Sequence, residues 1–129
     1  MNVEHIYSFE KLEVWKEARR LVVWIYTITN SFPADEKFGL TTQLRRASVS
    51  VVSNLAEGSA RRTAKDQAYF SQIAYSSLVE ILNQLIIAND LKFVSNDVMA
   101  EGRAKIETLT QKVAALRNAQ LARANTTKP

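Results

Sequence analysis

Between Gln43 and Arg62 the chain reads QLRRASVSVVSNLAEGSARR, and Leu44, Ala47, Val51, Leu55 and Gly58 recur there at steps of three and four. That spacing returns side chains to one face every 3.6 residues, so the stretch forms a helix. Val49, Val52 and Ala56 add a second apolar surface beside the first. A helix apolar nearly all round is expected to be covered by neighbours on most sides. The same stretch carries Ser48, Ser50, Ser53, Asn54 and Glu57, with Arg45-Arg46 at one end and Arg61-Arg62 at the other. Buried polar groups destabilise a fold unless they are hydrogen-bonded. Gln43, Ser50, Asn54 and Glu57, with Glu80 further on, are therefore expected to form a structural polar network between helices. On that reading Asn54→Ala or Glu57→Ala affects stability or assembly.

The rest of the chain repeats the pattern. Three Gly and two Pro in 129 residues leave few breakers, which favours long helices over a many-turned β fold. Leu12, Trp15, Ala18 or Arg19, Val22, Ile25 or Tyr26 and Thr29 mark a first helix over about 9–31, with Ser8 as its N-cap. The run from Val22 to Ile28 suits a strand on propensity, but the helical period holds across the whole segment. Ser31-Phe32-Pro33 ends it, because a residue before proline avoids the α region. Pro33 to Gly39 reads as a turn plugged by Phe38 and Leu40, and a second helix covers 40–60. Thr63-Ala64-Lys65-Asp66 resembles a capping box opening a third helix over 64–90. Its stripe is Phe70, Ile73 or Ala74, Ser77, Ile81, Leu85 and Ala88. Ser95-Asn96-Asp97 caps a fourth over 96–121, with Met99, Gly102, Ile106, Leu109, Val113 and Leu116 as its seam. Residues 122–129 read as a frayed tail.

Four helices with short connections predict a single-domain, all-α, up-down-up-down antiparallel bundle spanning residues 1–129. The second and third helices carry more apolar surface than one bundle core covers. That excess predicts a homo-oligomer, with a wide internal core as the alternative. Arg46 is a candidate to meet a carboxylate at such a subunit contact. No apolar run approaches the roughly 20 residues that span a membrane, and no basic start with an apolar core opens the chain. The expectation is a cytoplasmic protein without a membrane role.

Net charge is +4, unevenly spread. Residues 1–31 hold four bases and four acids, 32–63 five and three, 64–91 one and three, and 92–129 seven and three. The antiparallel topology gathers Lys11, Lys16, Arg61, Arg62, Lys65, Arg117, Arg123 and Lys128 at one end. Arg45 and Arg46 lie near the other, about 25 Å along the second helix from Arg62 at 1.5 Å per residue. These cations are candidate phosphate contacts, and a symmetric oligomer multiplies their field. The plain alternative is a solvated surface with cations offsetting helix dipoles.

Catalytic signatures are missing from the sequence. It contains no P-loop, GxGxxG, HExxH or GxSxG, no cysteine and one histidine, His5. Glu57 and Glu80 are the only acids within mainly apolar helical stretches, and a structural role suits them better than acid–base work. No Glu-x-x-His pair supports a di-iron centre. The expectation is a non-enzymatic protein with no cofactor and no metal.

A resemblance adds to this. Phe9-x-x-Leu12-x-Val14-Trp15, Phe32-Pro33, Phe38-Gly39-Leu40-x-x-Gln43-Leu44-x-Arg46-Ala47-x-x-Ser50 and Ser53-Asn54-Leu55-Ala56-Glu57-Gly58-x-x-Arg61 carry it. Phe70, Ile73-Ala74, Ser77-Leu78-x-Glu80 and Leu85 continue it. Over roughly residues 8–117 the chain resembles the bacterial four-helix bundle proteins encoded in 23S rRNA intervening sequences. It is similar, more distantly, to the accessory variability protein of diversity-generating retroelements. The resemblance implies a homopentamer with a central channel. Through the retroelement relatives it also implies RNA or DNA binding by basic residues and partnership with a reverse transcriptase. One departure is Ser76-Ser77, where the family has Gly-Ser; a glycine there would let helices approach closely.

Overall fold

A computed structural model describes residues 3–126, and among them all regular structure is helical. A 3-10 turn, Ser8–Lys11, leads into α1 (Glu13–Thr29). A second 3-10 turn, Ala34–Glu36, precedes α2 (Leu40–Ser59), followed by α3 (Ala64–Asp90) and α4 (Asn96–Thr126). The expected first helix is thus two elements. Leu12 is extended at φ −79°, ψ 114°, and breaks the chain between them. Ser8 opens the 3-10 turn instead of capping α1, and its hydroxyl reaches Ser59 Oγ at 3.2 Å.

Contacts between helices define the topology. The start of the chain meets the end of α2 through Ser8 and Ser59, while Arg45 near the start of α2 meets Thr29 at the end of α1. Gly58 of α2 lies against Phe70 of α3, and Ser71 of α3 bonds Gln120 of α4. Trp24 of α1 bonds Glu101 of α4. Each helix is antiparallel to the next and α4 closes beside α1, which is the four-helix bundle. α3 packs extensively on both α2 and α4, whereas the α1–α4 seam is slight.

The core is one cluster drawn from all four helices. It includes Ala18, Leu21 and Ile25 of α1, Leu44, Val51 and Leu55 of α2, Leu78, Ile81 and Leu85 of α3, and Ile106, Leu109 and Val113 of α4. Each fully buried Leu, Ile or Val contributes roughly 1.5–3 kcal/mol relative to exposure. Leu12 and Trp15, expected as the lead positions of the first stripe, are only partly buried, and Val14 and Leu21 take the centre. α2 buries its expected stripe, but Val49, Ser53 and Glu57 face outward, so neighbours within the chain do not cover it on most sides.

Caps place the ends. Thr63 Oγ1 accepts the amide of Asp66 at 3.1 Å, and Ser95 Oγ accepts that of Val98 at 3.1 Å. The α2 terminus is capped from upstream, where Glu36 Oε1 accepts the Leu40 amide at 3.1 Å. α3 ends in a Schellman motif: the Phe93 amide bonds the Ala88 carbonyl at 2.8 Å and the Lys92 amide that of Asn89 at 3.0 Å. Lys92 adopts the left-handed conformation this requires, at φ 64°. Phe93 then packs on Phe32, ring centroids 5.5 Å apart.

Two further expectations need correction. Phe38 is no plug: it stands 88% exposed, while Leu40 packs against the core. The tail is not frayed after Leu121, because α4 continues to Thr126, held by buried Gln120 and by Arg123. Residues 127–129, including Lys128, lie outside the described residues. Ser76 is exposed and its hydroxyl accepts from Gln72, so the position where the family has glycine is not a close helix contact.

Candidate nucleic-acid interface

The topology brings most of the predicted cations to one end of the bundle. Lys11 closes the first 3-10 turn and Lys16 follows on α1, Arg61 and Arg62 lie between α2 and α3, Lys65 is in the first turn of α3, and Arg117 and Arg123 are near the end of α4. They divide into two groups by what they touch. Arg61 Nη2 pairs with Glu57 Oε1 at 2.8 Å, in the last turn of α2, and its guanidinium lies 4.5 Å over the Phe70 ring. Arg117 Nη1 donates to Gln72 Oε1 at 2.8 Å and covers Tyr75 at 5.1 Å. Arg123 Nη2 donates to Gln67 Oε1 at 3.0 Å, and Gln67 Nε2 donates in turn to the Arg61 carbonyl at 3.0 Å. These three arginines join helix ends. Lys16 pairs with Glu13 at 3.3 Å. Lys11, Arg62 and Lys65 are exposed and form no hydrogen bond or ion pair among the described residues.

Arg45 has a different place. Its Nε donates to Thr29 Oγ1 at 2.9 Å and its Nη2 to Asn30 Oδ1 at 3.2 Å, with the guanidinium 4.6 Å over Tyr26. It satisfies polar groups at the C-terminus of α1, where a cation also complements the helix dipole. Thr29 is buried and spends its own proton on the Ile25 carbonyl at 2.7 Å, which leaves its oxygen free to accept from Arg45.

The polar residues of α2 are only partly joined. Ser50 Oγ meets Ser77 Oγ of α3 at 2.9 Å, and Asn54 Nδ2 donates to the Ser50 carbonyl at 2.8 Å and to its hydroxyl at 3.1 Å. That trio is the inter-helix part of the expected network. Glu57 is exposed and pairs with Arg61 just past the end of α2; Glu80 is exposed and accepts from Gln84 Nε2 at 3.3 Å within α3. Neither carboxylate ties two helices together. Gln43, Arg46, Ser50, Ser77 and Glu80 instead line an open groove of about 330 Å³ between α2 and α3. Arg46 is exposed there and unpaired among the described residues. Close by in sequence, the Gln84 Oε1 atom is buried without a partner among the described residues.

Sequence reasoning did not anticipate the Ser71 Oγ to Gln120 Oε1 bond at 2.7 Å, nor the Trp24 Nε1 to Glu101 Oε2 bond at 3.0 Å. Gln120 falls at the three-four spacing that follows Val113 and Leu116, so its burial was written in the period. His5 packs edge-on against Tyr7, centroids 4.6 Å apart. No group of three or more His, Cys, Asp or Glu among the described residues can hold a metal ion, and no helix there is long and apolar enough to cross a membrane.

The fold and these surfaces define a small all-α bundle protein whose polar chemistry lies in grooves and at helix ends. The chain belongs to the 23S rRNA-intervening sequence protein family, whose model matches residues 10–115. No curated protein matches the chain.

Proposed function

We propose that this is a non-enzymatic, homo-oligomeric accessory protein that binds RNA or DNA through basic residues without strong sequence specificity. The observation that carries the reading is the convergence of cations from three helices and two connecting segments on one end of the bundle. Lys11, Arg62 and Lys65 there have no partner within the described residues, while Arg61, Arg117 and Arg123 are held in position by Glu57, Gln67 and Gln72. Lys and Arg contacts to phosphate release counterions, which gives affinity without base readout and a steep loss with salt. A homopentamer, as the family resemblance implies, repeats this end five times around one axis. A reverse transcriptase partner rests on the more distant retroelement resemblance.

Fluorescence anisotropy of RNA, single-stranded DNA and duplex DNA over a salt series tests this. Tight binding with a steep negative slope is expected. Changing Arg61, Arg62 and Lys65 together to Ala should make the slope shallower by about one for each phosphate that is no longer neutralised. An unchanged slope removes this end of the bundle from the reading.

An oligomeric protein-interaction scaffold with no nucleic-acid role is the second reading. Val49, Val79, Ile86, Ile87 and Leu91 are exposed on α2, on α3 and just past its end, and favour it. Retention of one protein partner after nuclease treatment, with no RNA or DNA bound at low salt, would establish it.

A further inference from the structure

We infer that the cavity at the basic end of the bundle, lined on its inner side by Ser71 and Gln120, receives one unpaired nucleobase of a bound strand. This rests on the nucleic-acid reading and deepens it: the ligand is a single strand, held by a base as well as by its phosphates.

Residues of the first 3-10 turn, of the α1 N-cap and of α2, α3 and α4 together line a cavity of about 210 Å³. Ser8 is exposed at its rim, whereas Ser71 and Gln120 are only 3% and 6% exposed. The cavity therefore runs from the surface into the bundle. Leu12, Leu55 and Leu116 give it apolar walls, and among the described residues no charged side chain lines it. Its polar groups are unevenly satisfied. Gln120 Oε1 accepts the Ser71 hydroxyl at 2.7 Å, but Gln120 Nε2 makes no hydrogen bond among the described residues. Ser71, its proton spent, has only lone pairs left to offer. Buried amide groups are nearly always paired, so this cavity suits a neutral guest that brings an acceptor to Gln120 Nε2.

A nucleobase has that chemistry. Its carbonyl oxygens and ring nitrogens accept hydrogen bonds, and its flat faces pack against leucine. The volume equals that of about seven waters at roughly 30 Å³ each, room for a single-ring base. A bare phosphate is refused, because nothing charged inside replaces its hydration. The phosphates belong outside, and each wall leads to a cation that can take one. Lys11 closes the turn that begins at Ser8, Arg61 and Arg62 follow Gly58 and Ser59, and Arg117 follows Leu116. On α3, Lys65 precedes Gln67, whose Oε1 accepts from Arg123 at 3.0 Å. A neutral, half-apolar cavity among cations is thus placed to take a base while the flanking phosphates are neutralised. A single strand turns a base inward at little cost, whereas a duplex must first break pairing and stacking.

The test compares two fluorescein-labelled strands by anisotropy over a salt series: oligodeoxyuridylate, and an abasic deoxyribose oligomer with the same number of phosphates. The full chain should bind the first roughly three- to tenfold more tightly, the usual worth of one hydrogen bond, with parallel salt slopes. Gln120→Leu removes the free amide, and Ser8→Trp fills the rim from an exposed position where the fold is not at stake. Each should erase the preference while leaving abasic binding and its slope unchanged. Should Gln120→Leu unfold, because Ser71 loses its partner, Ser8→Trp decides alone. Equal affinity of the wild type for the two strands overturns the base site and leaves the basic end standing. A preference that survives Ser8→Trp overturns it too, since the base then lies elsewhere. A variant that weakens both strands equally overturns it as well, because the cavity then serves only the fold or the phosphate contacts. Failure of the wild type to bind either strand, RNA or duplex DNA at low salt removes the proposed function itself, and the base site with it.

Discussion

Single residues are decided by backbone geometry and by partners. Lys92 is the only described non-glycine residue with positive φ, and the left-handed region costs an L side chain about 1–2 kcal/mol. Glycine is the usual occupant of the corresponding Schellman position. Its greater freedom in the unfolded chain takes back part of the gain. Lys92→Gly should therefore raise stability by up to about 1 kcal/mol, read as a higher denaturation midpoint with unchanged slope against denaturant. An unchanged or lower midpoint would mean that the lysine stem contributes packing that outweighs its backbone cost. Nothing in the local sequence Asn89-Asp90-Leu91-Lys92 announces this conformation, since the common glycine signal is missing. By contrast, Thr63 and Ser95 were legible as caps, because their hydroxyls reach amides three residues on whatever the rest of the fold does.

Among elements, close approach of helices depends on what faces them. Gly102 of α4 lies under Trp24 of α1 and Leu85 of α3. A Cβ at that point would stand 2.8 Å from Trp24 Cη2 and 3.0 Å from Leu85 Cδ1. Alanine favours an isolated helix over glycine by about 1 kcal/mol. Here overpacking, which costs typically 1–3 kcal/mol, opposes that gain. Gly102→Ala should lower the melting temperature, and the loss should shrink when Trp24 is also changed to Leu. Equal losses in the two backgrounds would place the cost elsewhere. Periodicity had placed Gly102 in the seam of the fourth helix, but its partner came from another helix 78 positions upstream. The two carboxylates show the same limit: Glu57 and Glu80 fall in apolar stretches, yet each faces outward and bonds only four residues on, to Arg61 just past the end of α2 and to Gln84 of α3.

As a whole molecule, the bundle leaves apolar side chains uncovered. Val79 and Ile86, seven residues and two turns apart on α3, are both exposed, with Ile87 and Leu91 beyond them. Arg46, unpaired among the described residues, lines the α2–α3 groove with Glu80. An apolar face beside an unpaired cation suits contact with a second copy of the chain, and the reading of a homo-oligomer turns on it. Val79→Asp with Ile86→Asp should reduce the mass measured by light scattering to that of one chain while circular dichroism keeps its helical signal. A variant that retains the wild-type mass would show that assembly uses another face.

The sequence by itself determined the helices, their order and most of the residues they bury. Those depend on a local period, and residues three or four apart share a face in any helix. It also determined that cations would gather at one end, because short connections force antiparallel neighbours. Which cations of either end are free was settled by tertiary contacts alone. Arg45, Arg61 and Arg117 look alike in the sequence to Arg46, Arg62 and Lys65, yet the first three are held by Thr29, Glu57 and Gln72. Hydrogen-bond partners on other elements and the directions of side chains at helix ends follow from packing, and packing joins positions that no local pattern connects.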